Sequence, residues 1–196
     1  MTMQIHGLDI IVHPGVYPPS DDSYLLVDSI DFQPDDVVLD VGCGTGLVSL
    51  IAAMRVYKVV ATDVSHAAVR NTKENLRRNY LEKTCEVVQT DLLSILSPEV
   101  TFSKILFNPP YLPEDDTQTD MDHALVGGRK GTELTERFIR TAKEHLRSDG
   151  ELFVVASSLS DVQYIKSVIV DVGLQGSVVA KKPLFFEKLY VLKGAL

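Results

Sequence analysis

The 196-residue chain is poor in cysteine, with only Cys43 and Cys85 and no CxxC pair. That excludes a disulfide scaffold and makes a reduced, cytoplasmic setting the default. Its five histidines form no HxxxH or HExxH pattern, which argues against a metalloenzyme. No apolar run approaches the roughly 20 residues that cross a bilayer, and "MTMQIHGLDIIVHPG" lacks the basic and long apolar regions of a signal peptide. Basic residues are outnumbered, 19 against 27 acidic ones, for a net charge of −8. That balance argues against a broad nucleic-acid footprint. Internal repeats, linkers and low-complexity tracts are also missing. What remains, 45% hydrophobic and 23% charged, is the composition of one ordinary globular domain over residues 1–196.

Strand and helix patterns alternate along the chain. After the apolar segment Leu8 to Val12, the prolines of "HPGVYPPSDDSYLLVDSI" enforce a turn, and Ser20 or Asp21 offers a helix N-cap. The runs "VVLDV", "YKVVATD", "CEVVQTD", "FSKILFN" and "ELFVVAS" read as strands, the shortest as strands buried on both faces. Helical segments lie between them: "LVSLIAAMR", "HAAVRNTKENLRRN" capped by Ser65, and "ELTERFIRTAKEHL" ending at the turn "RSDG". "DVQYIKSVIVDVG" is a further helix, and "GSVVAKK" with "EKLYVL" is expected to close the chain as an antiparallel pair. The order predicts an α/β fold: a mostly parallel sheet with an antiparallel edge and helices on both faces.

In such sheets ligands gather at the carboxyl ends of the strands. The glycine loop "DVGCGTG", Asp63, Asp91 and Asn108 all fall there. Gly42, Gly44 and Gly46 are spaced G-x-G-x-G, not as the G-x-G-x-x-G of dinucleotide sites, and no Gly-Lys-Ser/Thr follows. Cys43 reads as a small loop residue rather than a nucleophile. Asp63, some 20 residues on, suits a pair of ribose hydroxyls, against the alternative of a helix-capping role. Asp91 suits either a purine amine or a turn.

The strand "ILF" leaves through Asn108, Pro109, Pro110 and Tyr111. Neither proline can donate to a strand ladder, and each holds the residue before it extended. Asn108 is neutral and a poor base. Its side-chain oxygen and the Pro109 carbonyl are two fixed acceptors for a planar –NH₂ group, which favours positive charge developing on that nitrogen. Tyr111 offers a flat face for stacking. Such a site fits transfer to an amide or exocyclic amine from a strongly electrophilic donor.

"DVGCGTG", Asp63, Asp91 and "NPPY" in this order resemble class I S-adenosylmethionine-dependent methyltransferases. With "VYPPSDDSYLL" and "ALVGGRKG" added, the chain resembles the HemK family from Val16 to the C-terminus. The resemblance implies a Rossmann-like, seven-stranded fold and methylation of a glutamine side-chain amide, in a Gly-Gly-Gln motif, of class I peptide-chain release factors. It places the methionine part of S-adenosylmethionine in the loop Gly42, Cys43, Gly44 and Gly46, with Asp40 supporting the loop and the amino end. Asp63, with Val64 beside it, would hold the ribose. Asp91 and the Leu92 backbone would hold the adenine, and Asn108 and Pro109 the glutamine amide. The family more often has Glu at position 21 and Thr at 23; Asp21 and Ser23 keep that chemistry, so Ser23 is expected at the cofactor, under an N-terminal arm and helix spanning 1–30. Gly127, Gly128 and Arg129 would lie near the substrate.

The bacterial branch of the family carries an added N-terminal helical domain, for which this chain has no room. The short archaeal and eukaryotic branch is therefore expected, and with it a small zinc-binding activator subunit. The rivals are an N6-adenine methyltransferase acting on DNA or RNA and a lysine methyltransferase acting on another protein. The net charge and the acidic stretch "PEDDTQTDMD" weigh against the first.

Overall fold

The computed structural model describes residues 1–111 and 131–196. Gly127, Gly128, Arg129 and the whole acidic stretch "PEDDTQTDMD" before them lie outside the described residues.

A seven-stranded sheet organises the molecule. Its strands are β3 (Val37–Val41), β4 (Lys58–Asp63), β5 (Cys85–Gln89), β6 (Phe102–Phe107), β7 (Leu146–Ser157), β8 (Gln175–Pro183) and β9 (Lys188–Ala195), in the order β5-β4-β3-β6-β7-β9-β8. β9 alone is antiparallel to both its neighbours. The antiparallel strand therefore lies one place in from the edge, because the β8–β9 hairpin inserts its second strand against β7.

Side-chain alternation covers both faces. In β7, Phe153 and Val155 face one core while Leu152, Val154 and Ala156 face the other. The first core takes α1 (Asp21–Asp28), α2 (Leu47–Ala53) and α3 (His66–Arg78); the second takes α4 (Glu133–Ala142) and α5 (Val162–Asp171). This period-2 division is what a sheet buried on both sides requires. α3 starts where Ser65 Oγ accepts from the Ala68 N–H at 3.4 Å, and α5 where Asp161 accepts from the Tyr164 N–H at 2.9 Å. Ser20 does stand at the N-cap of α1, but its side chain makes no capping bond; its carbonyl accepts from the Tyr24 N–H.

Two elements depart from the sequence reading. "RSDG" is not a turn ending a helix: α4 passes through a 3-10 turn (Lys143–His145) into β7, and "RSDG" is a bulge within that strand. Pairing with β6 jumps there from Phe102–Leu146 to Lys104–Glu151. The apolar segment at Leu8 is the second half of a hairpin, β1 (Thr2–Ile5) and β2 (Leu8–Ile11). Its turn residues His6 and Gly7 both have positive φ, 50° and 78°, the geometry that matches the twist of a two-residue hairpin.

The strand order reverses between β3 and β6: β4 and β5 continue on one side of β3, while β6 and β7 lie on the other. The loops after β3 and β6 thus leave the same end of neighbouring strands in opposite senses, which opens a crevice.

Candidate active site

That crevice is a cavity of about 400 Å³. Its lining includes Ser23, Asp40, Gly42, Cys43, Gly44, Asp63, Val64, Asp91, Leu92, Asn108, Pro109 and Pro110. Of the residues singled out from sequence, Gly46 and Tyr111 do not line it.

The glycine loop is shaped by three left-handed residues, with φ of 67° at Gly42, 56° at Gly44 and 84° at Gly46. Their reasons differ. A Cβ on Gly46 would sit 2.7 Å from Thr72 Cγ2, so that glycine serves packing. A Cβ on Gly44 would meet nothing within 4 Å, so there the missing side chain leaves open space in the cavity wall. The loop is tied across to β4: the Cys43 N–H donates to the Thr62 carbonyl at 2.9 Å, and the Gly44 N–H to Asp63 Oδ2 at 3.0 Å. Cys43 is buried, which pushes its thiol well up from the usual range and disfavours the thiolate.

Asp63 Oδ1 accepts from the Ser65 N–H at 2.8 Å. Burial pushes this carboxyl up, and its backbone N–H partners oppose the shift. Asp40 is buried in β3, where the Ser49 hydroxyl of α2 donates to it. Burial raises it to about 7; the Ser49 bond offsets part of the effect, and the nearby Asp63 adds to it. Asp91 lies two residues past β5 and is paired through Oδ1 with Arg137 of α4 at 2.7 Å. Leu92, next in the chain, has φ 50°, a backbone uncommon for a bulky residue.

Asn108 follows β6 directly. Its Oδ1 is buried and has no hydrogen-bond partner among the described residues. Since buried amide oxygens are nearly always paired, an unpartnered one in a cavity wall is an acceptor held for something else. Tyr111 sits elsewhere than the stacking reading placed it. Its ring is buried in the core with Leu26 and Val27, and its hydroxyl donates to Asp22 Oδ2 of α1 at 3.3 Å. Burial and the Asp22 charge push the phenol up, so it stays protonated.

The sequence reading missed part of the wall. Gly15, Val16, Tyr17 and Pro19 line it from the N-terminal arm, and Thr62 and Phe107 from the strand ends. The prolines around Tyr17 were the available signal, since they impose the extended path that lays this segment over the cavity. Thr62 gave none, because its hydroxyl is fully buried within a strand pattern.

The fold is that of the class I, Rossmann-like methyltransferases. The chain belongs to the methyltransferase small domain family, whose pattern matches residues 7–182. It is 32% identical to a protein of Methanocaldococcus jannaschii assigned as a protein N5-glutamine methyltransferase, across 99% of this chain and 98% of that one. It is 29% identical to the human methyltransferase HEMK2 over 91% of this chain and 88% of that one. Among solved structures it resembles the E. cuniculi Mtq2-Trm112 complex, described as responsible for methylating the eRF1 translation termination factor. That likeness has a TM-score of 0.69 and 26% identity and covers 92% of this chain and 98% of the matched one.

Proposed function

We propose that this chain transfers the methyl group of S-adenosylmethionine to the side-chain amide nitrogen of a glutamine, in a Gly-Gly-Gln motif of a class I release factor. The observation that carries the reading is the buried, unpartnered Asn108 Oδ1 in the wall of the cavity. The cavity residues fit the donor: Gly44 leaves backbone accessible, Asp63 is a carboxylate fixed on two N–H groups, and Asp40 is an acid at the foot of the loop. Gly42, Cys43, Gly44 and Asp40 would hold the methionine part, Asp63 and Val64 the ribose, Asp91 and Leu92 the adenine, and Ser23 the donor from the arm side. Gly46 contributes by shaping the loop. Bound there, S-adenosylmethionine supplies an electrophilic methyl group on a sulfonium.

The chain's own part is to hold the acceptor. Asn108 Oδ1 and the Pro109 carbonyl each take one hydrogen of the amide –NH₂, which fixes the nitrogen and aims its lone pair into the cavity. As the N–C bond forms, the methyl carbon's bond to the sulfonium breaks and S-adenosylhomocysteine leaves; the nitrogen gains positive charge, and two oxygen dipoles already in place stabilise that charge without reorganising. Pro110 and Tyr111 brace the turn. The nitrogen then loses its extra proton to water.

The end-to-end likeness to an assigned N5-glutamine methyltransferase supports glutamine over adenine, as does the acidic balance of the chain. We read residues 1–196 as one methyltransferase domain with 1–30 covering the donor, acting in the cytoplasm; among the described residues no helix is long and apolar enough to cross a membrane. The likeness to Mtq2 in its complex with Trm112 supports a partner subunit; that this partner is a small zinc-binding activator is what the resemblance to the short branch of the family implies. Incubation with labelled S-adenosylmethionine and, separately, a release factor or nucleic acid tests the assignment. N5-methylglutamine found by mass spectrometry supports it, and label on adenine or lysine overturns it.

A further inference from the structure

The β1–β2 hairpin is held to the domain by a ladder of asparagine side chains. Asn71, Asn75 and Asn79 of α3 accept from the N–H groups of His13, Ile11 and Asp9 at 2.7, 2.9 and 2.9 Å. Their amide nitrogens return bonds to the carbonyls of Ile11 (from Asn71 and Asn75, 2.8 and 2.9 Å) and Asp9 (from Asn79, 3.0 Å). The spacings match: four helical residues rise about 6 Å, and two strand residues about 6.6 Å. The helix thus stands in for a third strand on the hairpin's open edge. Asparagine is a poor helix former, and three at i, i+4 and i+8, two of them fully buried, mark a helix face specialised for backbone.

Asn75 does more than its two neighbours. The second hydrogen of its amide goes to the Thr45 carbonyl in the glycine loop, at 2.9 Å. One turn earlier, Thr72 Oγ1 donates to the Gly44 carbonyl at 3.0 Å. Because peptide units are planar, anchoring these two carbonyls also sets where the following amides point. The hairpin in turn leads into Gly15, Val16, Tyr17 and Pro19, which line the same cavity.

We infer that Asn75 is a positioning residue that couples the glycine loop to the N-terminal arm, so that donor binding and seating of the arm are one linked event. This rests on the reading of the cavity as the S-adenosylmethionine site. Asn71 and Asn79 bond the arm without reaching the loop, and Thr72 reaches the loop without the arm, so the molecule supplies its own controls.

The test uses the full chain and S-adenosylhomocysteine as probe. Calorimetry well below each variant's melting point is expected to give an affinity about tenfold weaker for Asn75→Ala, a loss in the range of one buried hydrogen bond, and under about threefold for Asn71→Ala and Asn79→Ala. Equal losses in all three overturn the coupling. A second measurement needs no variant: the ligand is expected to slow hydrogen exchange at the N–H groups of Ile11 and His13, residues that do not themselves line the cavity. Binding without that protection overturns the coupling alone. Absence of any binding by the wild type overturns the donor reading of the cavity and the coupling with it.

Discussion

The Tyr111 hydroxyl and Asp22 Oδ2 meet at 3.3 Å across 89 residues of sequence, and this bond ties the Asn-Pro-Pro-Tyr turn to the first helix. Asp22 is itself buried, and its Oδ1 takes the Ser23 N–H at 2.6 Å. Tyr111 is therefore a strut behind the turn. Tyr111→Phe removes one hydrogen bond and is expected to cost about 1 kcal/mol of stability, with turnover within about threefold of wild type. Tyr111→Ala empties a core position and is expected to cost about 3–5 kcal/mol. Thermal melts beside initial rates check both; a Tyr111→Phe enzyme that melts like wild type but has lost turnover would make the hydroxyl catalytic.

Gly44 and Gly46 separate binding from folding. Alanine at Gly46 combines a left-handed φ with a 2.7 Å approach to Thr72, and a loss of about 2–4 kcal/mol is expected. Alanine at Gly44 meets only open space, so about 1 kcal/mol of backbone strain is expected, together with a large loss of donor affinity. Melting curves and calorimetry on the two variants should rank them in opposite orders.

Asp63 anchors the loop through Gly44 and α3's start through Ser65. Asp63→Ala is expected to weaken donor binding by about 10- to 100-fold, the range of one or two charge-assisted hydrogen bonds. An unchanged dissociation constant would remove it from the donor site.

Asp40 predicts a pH signature. Burial pushes its carboxyl up to about 7 in the folded chain, from the ordinary 3.8. Between those values the folded state holds a proton that the unfolded state has lost, so stability falls as pH rises, by about 1.4 kcal/mol per unit. Asp40→Asn removes Asp40's part of that slope. A ligand ammonium group favours the ionised carboxyl, so S-adenosylhomocysteine is expected to bind more tightly at pH 8 than at pH 6 and to release protons on binding. Asp63, also pushed up by burial, acts in the same direction. Calorimetry in buffers of different ionisation enthalpy reads the proton release.

The parts of this molecule that were legible in sequence obey local rules. β3, β4, β6 and the second half of β7 are short apolar runs, and the loops that follow β3 and β6 announce themselves by glycine spacing and by paired prolines. The parts that were not legible depend on partners far along the chain. β1 is a half-exposed strand whose turn places a histidine at positive φ, so neither its apolar pattern nor its turn residues stand out. Asp91 gives no sign of Arg137, which lies 46 residues on in α4. Tyr111 has the composition of a stacking platform, and only its bond to Asp22 shows that it faces the core. The asparagine ladder was visible as a breach of helix propensity, but not what it holds.

Asn108 is the central claim, and its alanine variant tests it most directly. With saturating S-adenosylmethionine and a release factor, Asn108→Ala is expected to bind S-adenosylhomocysteine like wild type while N5-methylglutamine formation, followed by mass spectrometry, falls about 10²- to 10³-fold. Methylation of the Gly-Gly-Gln glutamine by this variant at the wild-type rate would contradict the account.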